Sequence, residues 1–456
     1  MISTPLTTIA AALGAEMIGA SGGQIERVST NSRALGAGDL FVALVGERFD
    51  AHDFIAQAEA AGAAAVLVSR PVETTLPQLL VDDTTLALGQ LAAWLKQQLN
   101  PYAVALTGSV GKTSVKEMTA AIFALAGTTL ATKGNLNNTI GVPLTLLELS
   151  GAERYAVVEL GANAPGEIRY TSSLVQANAA LINNIQPAHL EGFGGIDGVA
   201  AAKSEIFEAL QPDGIAIINL DDNYADYLQA QAAEQPLLRF SSRQVADIWA
   251  DEIQRDSSGC YRFTLHCGEL SQPVSLPLPG RHQVDNALAA ASLAHCAELD
   301  LALIAKGLSQ APTVPGRTQI HSLSPTLTVI DDSYNANLAS TKAGIDLLAE
   351  MATTTVLLFG DMGELGSSTE SHHRQVGQYA LDKGIDHLLT VGTVSGFAAA
   401  AFGSKAHFTD QQALLEHLLV WLEQATAPVT VLIKGSRSAR MENLLTALRQ
   451  QFEVTR

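Results

Sequence analysis

Val104-Ala-Leu-Thr-Gly-Ser-Val-Gly-Lys-Thr-Ser114 decides how the rest of the chain is read. An apolar run ends at Thr107, a turn holding Gly108 and Gly111 follows, and Val115-Lys-Glu-Met-Thr-Ala-Ala-Ile-Phe continues with helical spacing. A buried strand, a glycine turn and a helix start, in that order, aim free backbone N–H groups and the positive end of a helix dipole at one point. Lys112 adds a charge that reaches terminal phosphates, and the Thr113 hydroxyl is a ligand for Mg²⁺. The general phosphate loop carries a glycine where this chain has Leu106, so the pattern is the shorter T-G-x-x-G-K-[TS]. Thr107, Gly108, Ser109, Val110, Gly111, Lys112, Thr113 and Ser114 are the candidate contacts to a nucleotide phosphate.

Around this loop, near-continuous apolar runs at 155–160, 179–185 and 214–220 alternate with helical segments. That alternation indicates a parallel sheet covered on both faces, and in such sheets ligands gather at the C-terminal strand ends. Glu159, Asn183, Asn184 and His189 lie at or just beyond those ends. A carboxylate closing an apolar strand needs a cation. For Glu159 that is a metal beside the phosphate loop, or a basic neighbour such as Lys112 or Arg169. Gly134-Asn-Leu-Asn-Asn-Thr-Ile-Gly141 sets amides between two glycines, so Asn137 and Asn138 read either as ligand contacts or as a side-chain-held turn. Lys203 is the single cation on the Ala-rich stretch 199–207 and by position alone reads as a surface lysine.

Upstream, a strand over 39–44, a helix over 53–61 and a strand over 63–68 make a small α/β unit, with polar clusters at 29–33 and 46–52. A helix over 85–98 leads through Asn100-Pro101 into the phosphate-loop strand. Downstream, 240–278 reads as an antiparallel hairpin on the sheet edge, and a helix follows Pro279-Gly-Arg-His-Gln-Val-Asp-Asn286. Ala311-Pro-Thr-Val-Pro-Gly-Arg317 reads as a linker. A second doubly wound sheet begins after it, with strands at 326–331, 355–359, 387–391 and 429–433 and no G-x-G-x-x-G fingerprint. Asp331-Asp-Ser-Tyr-Asn-Ala-Asn337, Gly360-Asp-Met-Gly-Glu-Leu-Gly366 and Lys434-Gly-Ser-Arg-Ser-Ala-Arg440 each follow a strand, which suggests one shared ligand surface. The fold class is α/β in three domains: a small α/β domain over 1–82, a central P-loop parallel-sheet ATPase domain over 83–312 and a Rossmann-like domain over 313–456.

The 456 residues are 47% hydrophobic and carry a formal net charge of −19. That charge argues against a non-specific nucleic-acid binder, whose footprint is basic. Three cysteines without metal-ligand spacing give no disulfide framework, and no apolar run approaches a membrane span. The expectation is a cytoplasmic protein with no nucleic-acid partner and no membrane insertion, acting as a monomer.

The wording T-G-x-x-G-K-T-S, V-E-L-G-A, N-N-I-x-x-A-H-L-E, A-K-x-E-I-F, P-G-R, D-D-S-Y-N-A-N, G-D-M-G-E-L-G and K-G-S-R, in that order over essentially the whole chain, resembles the Mur ligases. A departure is Leu338, where the family often has Pro. The resemblance implies an ATP-dependent ligase that joins D-alanyl-D-alanine to UDP-N-acetylmuramoyl-tripeptide through an acyl phosphate. It implies catalytic roles for Lys112, Glu159, His189 and Lys203. Thr113 and Glu159 would hold one Mg²⁺ and His189 a second, and Lys203 aligns with a lysine that is carbamylated in related ligases. Asn286, Arg317 and Asp332 would reach the ATP. Ser32, Arg33 and the loop around Arg48 resemble the uridine-sugar site. Asn335, Asn337, the loop 361–364, and Lys434, Ser436 and Arg437 would face the peptide or dipeptide. Folylpolyglutamate synthetases share the phosphate-loop chemistry, but the N-terminal nucleotide-sugar module disfavours them.

Overall fold

The computed structural model describes residues 1–47, 49–187 and 190–453. Arg48 and His189 lie outside the described residues. A nine-stranded sheet forms the middle of the molecule, in the order Leu270–Pro279, Cys260–Cys267, Ile248–Arg255, Leu237–Ser241, Ile215–Asn219, Ala179–Ile182, Tyr102–Thr107, Tyr155–Glu159 and Thr129–Ala131. The strand that feeds the phosphate loop runs parallel to both of its neighbours. Its end at Thr107 is level with Ile182 on one side, and Leu106 is level with Glu159 on the other. Thr107, Glu159 and Asn183 therefore share one edge of the sheet.

The expected edge hairpin is a three-stranded antiparallel extension over Ile248–Arg255, Cys260–Cys267 and Leu270–Pro279. Thr129–Ala131 and Leu237–Ser241 are short parallel strands that the sequence pattern did not announce. Each has only a few residues, too short to show a period, and pairing with an existing strand defines them.

Helix Thr84–Leu99 joins the first sheet to the second. Asp83 caps it, its carboxylate accepting from the amides of Thr85 and Leu86 at 2.7 and 2.9 Å. It ends at Asn100 in the left-handed conformation, before Pro101. Its buried positions Ala87, Leu88, Leu91, Ala92 and Leu95 recur at helical spacing. They pack in one continuous apolar core with Leu6, Ile9, Val42 and Leu79 of the N-terminal part and with Ala103, Val142, Val158 and Val175 of the central part. The N-terminal sheet runs in the order Glu16–Ile18, Gln78–Leu80, Ala65–Val68, Asp39–Val42 and Arg27–Ser29.

The last sheet has the order Gln319–Ser324, Leu327–Asp332, Val429–Lys434, Thr354–Gly360, His387–Val391 and His407–Phe408. The strands ending at Asp332, Lys434 and Gly360 are adjacent and parallel, so their three polar loops emerge side by side. Leu338 starts helix Leu338–Ala349 without disturbance, because Asn337 and Ser340 form a reciprocal capping box in front of it.

Candidate active site at the junction of the second and third sheets

A cleft of about 790 Å³ separates the phosphate loop from the three loops of the last sheet. From the central side it is lined by Ser109 to Ser114, Asn183, Asn184 and Asn286, and from the other by Arg317, Asp332, Asn335, Asn337, Lys434, Ser436 and Arg437. The nucleotide residues and the acceptor-side residues read from the sequence thus converge on one space. Ser32, Arg33, Thr107, Gly108, Asn137, Asn138, Glu159 and Lys203 are not among its lining residues.

The phosphate loop is braced from the next strand end. Asn184 accepts from the Ser109 amide with its carbonyl and from the Val110 amide with its side chain, both at 3.0 Å. Its Nδ2 and that of Asn183 both donate to the Val110 carbonyl. The amides of Ser109 and Val110 are therefore engaged by the protein. The first-turn amides of helix Lys112–Ala124 have no partner within the helix, an arrangement that favours an anion. Gly111 has φ +81°, and a side chain there would collide with the amides of Asn183 and Asn286. Asn286 is itself doubly engaged. Its Oδ1 accepts from Asn183 and its Nδ2 donates to Gln283, both at 3.0 Å, so it braces the loop while lining the cleft.

Lys112 donates to the Gly108 carbonyl at 2.7 Å. Burial lowers its pKa, which the nearby Glu159 carboxylate counters. The Glu159 side chain is buried: one oxygen accepts from Asn137 Nδ2 at 2.8 Å, and the other has no hydrogen-bond partner among the described residues. Arg169, one of the basic neighbours expected for Glu159, pairs instead with Glu208 and Glu205. The Thr107 hydroxyl is a second buried, unpartnered oxygen. Both are buried oxygen atoms at adjacent strand ends, one of them anionic, that no protein donor satisfies among the described residues.

Lys203 overturns its reading as a surface residue. It is 2% exposed, and burial first, then the charge of Lys112, holds its pKa well below the ordinary lysine value. No hydrogen-bond or ion-pair partner of its amine is found among the described residues. The helix it occupies, Ile196–Ser204, packs against the helices Glu167–Val175, Leu190–Phe193 and Ala225–Gln231, and its buried side includes Val199, Ala200, Ala202 and Lys203.

The turn reading holds for Asn138, whose Oδ1 accepts from the amides of Ile140 and Gly141. Asn137 supports Glu159. In the N-terminal part, Ser32 donates to Gln57 at 2.8 Å and Arg33 is exposed. Asp50 and His52 of the 46–52 cluster bond each other at 2.6 Å, and Asp50 also pairs with Arg70 at 2.7 Å.

On the far wall, Lys434 is fully buried and pairs with the Asp332 carboxylate, whose other oxygen accepts from the Thr318 amide at 3.2 Å. Asn335 Oδ1 accepts from the Arg437 amide at 3.3 Å. Arg317 reaches across the cleft to donate to Thr113 Oγ1 at 3.3 Å, and its Nε is buried without a partner among the described residues. Asp361 departs from its expected role facing a ligand. Its carboxylate accepts from the amides of Thr393, Val394 and Ser395, and its carbonyl from the Ser436 amide, so it anchors the loop while Gly363 and Glu364 line the cleft.

The cleft also contains residues the motifs did not flag: Asn219, Asp221, Asp222, Arg243, His282 and Lys342. Burial raises the Asp222 pKa, although its carboxylate accepts from the amides of Ile185 and Tyr224. Burial likewise holds His282 below the ordinary histidine value, against the pull of Asp332 and Asp285. The signal for the acids was present, since Asn219 to Asp222 closes a parallel strand just as Asn183 does.

Comparison with known proteins agrees with this geometry. Family models match in three consecutive pieces: the Mur ligase family catalytic domain over 24–96, the Mur ligase middle domain over 106–294 and the Mur ligase glutamate ligase domain over 316–437. The chain is 49% identical over 453 residues to the UDP-N-acetylmuramoyl-tripeptide--D-alanyl-D-alanine ligase of Escherichia coli K12, covering 99% of both chains. Its structure is similar to that of MurF from Acinetobacter baumannii, with a TM-score of 0.93 at 38% identity over 98% of this chain and 99% of that one. MurF of Thermotoga maritima in complex with ADP aligns with a TM-score of 0.84 at 25% identity, over 94% of this chain and 98% of that one. A phosphate loop facing a second α/β unit across a polar cleft, in this order of motifs and at these identities, has one reading: the chain belongs to the Mur ligase family.

Proposed function

We propose that this protein is an ATP-dependent ligase that joins D-alanyl-D-alanine to the peptide carboxylate of UDP-N-acetylmuramoyl-tripeptide. The carboxylate takes the γ-phosphoryl group of ATP to give an acyl phosphate, and the dipeptide amine then displaces phosphate to form the amide. The observation that carries this reading is the shared cleft. It sets a phosphate loop against the Asn335, Asn337, Lys434, Ser436 and Arg437 surface, where an acceptor would meet the activated acyl group. The reading divides the chain at 1–82, 83–312 and 313–456, in support of which the three large sheets span 16–80, 102–279 and 319–434.

The residues fit the chemistry. A carboxylate is a poor electrophile and repels a polyphosphate, so positive groups must bring the two together. Lys112 and Arg317 flank the helix N-terminus and would neutralise the phosphates, and Asp332 would orient the nucleotide beside them. Thr113 and Glu159 would hold Mg²⁺, which when bound neutralises phosphate charge and polarises the phosphoryl group. His189 and a carbamylated Lys203 would hold a second ion. Burial favours the neutral amine, the form that is nucleophilic toward CO₂, and the product carries the negative charge that an ammonium cannot offer a metal. Ser32, Arg33 and Arg48 would take the uridine-sugar end.

The test is phosphate release with ATP and UDP-N-acetylmuramoyl-tripeptide, with and without D-alanyl-D-alanine. Release that depends on the dipeptide is expected, and release indifferent to it would sink the assignment. For the carbamate, Lys203→Ala should be inactive and partly rescued by short carboxylic acids. Full activity in the unrescued variant would rule it out.

A further inference from the structure

Tyr334 sits between two arginines of different origin. The Arg317 guanidinium carbon lies 4.3 Å from the centroid of the Tyr334 ring, and that of Arg437 lies 5.6 Å from it. Both are within the range at which a cation is attracted to the face of an aromatic ring. Arg317 belongs to the linker and reaches Thr113 on the phosphate loop. Arg437 belongs to the loop after the strand Val429–Lys434, its amide held by Asn335 and its guanidinium by Glu442 at 2.8 Å. One ring thus touches the group that faces the nucleotide and the group that faces the acceptor.

The backbone of Tyr334 is part of the same device. Its amide donates to the Gly316 carbonyl at 3.1 Å. Gly316 has φ +71°, and a Cβ there would lie 3.0 Å from Tyr334 Cβ, so the linker turns directly on this residue. Gly316 also donates to Asp331 at 3.2 Å. The linker residue before Arg317 is therefore seated on the loop that presents Tyr334. The buried, unpartnered Arg317 Nε indicates that the stacked guanidinium keeps donor capacity for an anion in the cleft.

We infer that Tyr334 is a positioning residue that couples the two sides of the cleft, its ring holding Arg317 toward the nucleotide and Arg437 toward the acceptor at once. The inference rests on the ligase reading for what the two sides bind, and on the geometry alone for the coupling. The flat face of the ring carries the effect, since no hydrogen bond of the hydroxyl is found among the described residues.

Steady-state kinetics of Tyr334→Phe and Tyr334→Leu test this, with Tyr334→Met as a second ring-free variant should Leu impair folding. Removing the ring should lower kcat/KM for ATP and for the dipeptide by about fivefold each, the size of one lost cation–π contact on each side. The KM for the nucleotide-sugar substrate and the melting temperature should stay at wild-type values, and Tyr334→Phe should behave as wild type. Because the ring acts on the acceptor only through Arg437, kcat/KM for the dipeptide in the double variant Y334L/R437K should be no worse than in the poorer single variant. Wild-type kcat/KM in the ring-free variants, a phenylalanine as damaging as leucine, or additive losses in the double variant would each overturn the inference. ADP affinity by calorimetry separates the two readings, because it needs no acceptor. Weakening by about fivefold in Tyr334→Leu but not in Tyr334→Phe supports the hold on Arg317 even if wild-type turnover ignores the dipeptide. Equal affinity in all three proteins overturns it.

Discussion

The molecule has two internal junctions, and they are built from opposite materials. Between the first and second sheets lies helix Thr84–Leu99, with Leu88, Leu91 and Leu95 fully buried in a core that continues without a break from Leu6 to Val175. Between the second and third sheets lies the cleft, whose walls are asparagines, acids, lysines and arginines, while the apolar cores of the last sheet remain separate from the central ones. A dry core resists sliding because its side chains interdigitate and lose dispersion and hydrophobic energy when parted. A polar junction loses little when water enters it. The first junction therefore makes the N-terminal and central parts one rigid platform, and the second leaves the last part held by a short linker and a few polar bridges such as Arg317 to Thr113 and Arg255 to Glu350.

Substitutions at the two junctions should then fail in different ways. The largest expected effect is Lys112→Ala in the cleft. Turnover should fall by about a thousandfold, the scale of losing a preorganised charge at the transferring phosphoryl group. The melting temperature should not fall, because the partly buried Lys112 cation is held at a desolvation cost. Calorimetry beside a phosphate-release assay checks both halves, and a K112A protein that melts well below wild type would break the contrast. Leu91→Ala at the apolar junction should do the reverse. It should destabilise the protein by about 3 kcal/mol in denaturant titration, as large-to-small changes in close-packed cores do, with kcat retained at temperatures where the protein stays folded.

The smallest expected effect is at Lys96. Lys96 is a buried cation at the apolar junction, where burial lowers its pKa to about 8. Its Nζ donates to the Gln176 carbonyl, which Gln211 also satisfies, so the acceptor survives its removal. Between pH 8 and 10.5 the unfolded chain binds more protons at this site than the folded one, so stability rises with pH across that window. Below pH 8 the cost of the buried charge is fully present. Lys96→Met should stabilise the protein by about 1 kcal/mol at pH 7, and the gain should shrink as pH rises through 8 toward 10.5. A gain independent of pH would show that packing, not charge, limits this site.

Much of the site was legible because it follows from strand ends. Glu159, Asn183 and the loops after Asp332, Gly360 and Lys434 stand where parallel strands stop, and alternating apolar runs reveal those stops without coordinates. Other assignments depended on which way a side chain turns. Lys203 and an exposed lysine look alike in an Ala-rich helix, and only the packing of that helix among its neighbouring helices buries the side chain. Asp361 and Asn286 sit in motifs that suggest ligand contacts, yet neighbouring backbone and amide groups claim their polar atoms first. The stacking of Arg317 and Arg437 on Tyr334 joins parts of the chain about a hundred residues apart and leaves no local pattern.

By itself the sequence determined the kind of chemistry: a short phosphate loop after a buried strand, a carboxylate on the adjacent strand end, and three polar loops on a second parallel sheet. These are local consequences of periodicity, glycine geometry and charge. Only the tertiary structure decided which polar groups remain open to a ligand, which brace the loops, and which junction is apolar and which is wet. Those properties depend on how far each group is removed from water and on what else is within hydrogen-bond reach, and both are set by neighbours distant in the chain.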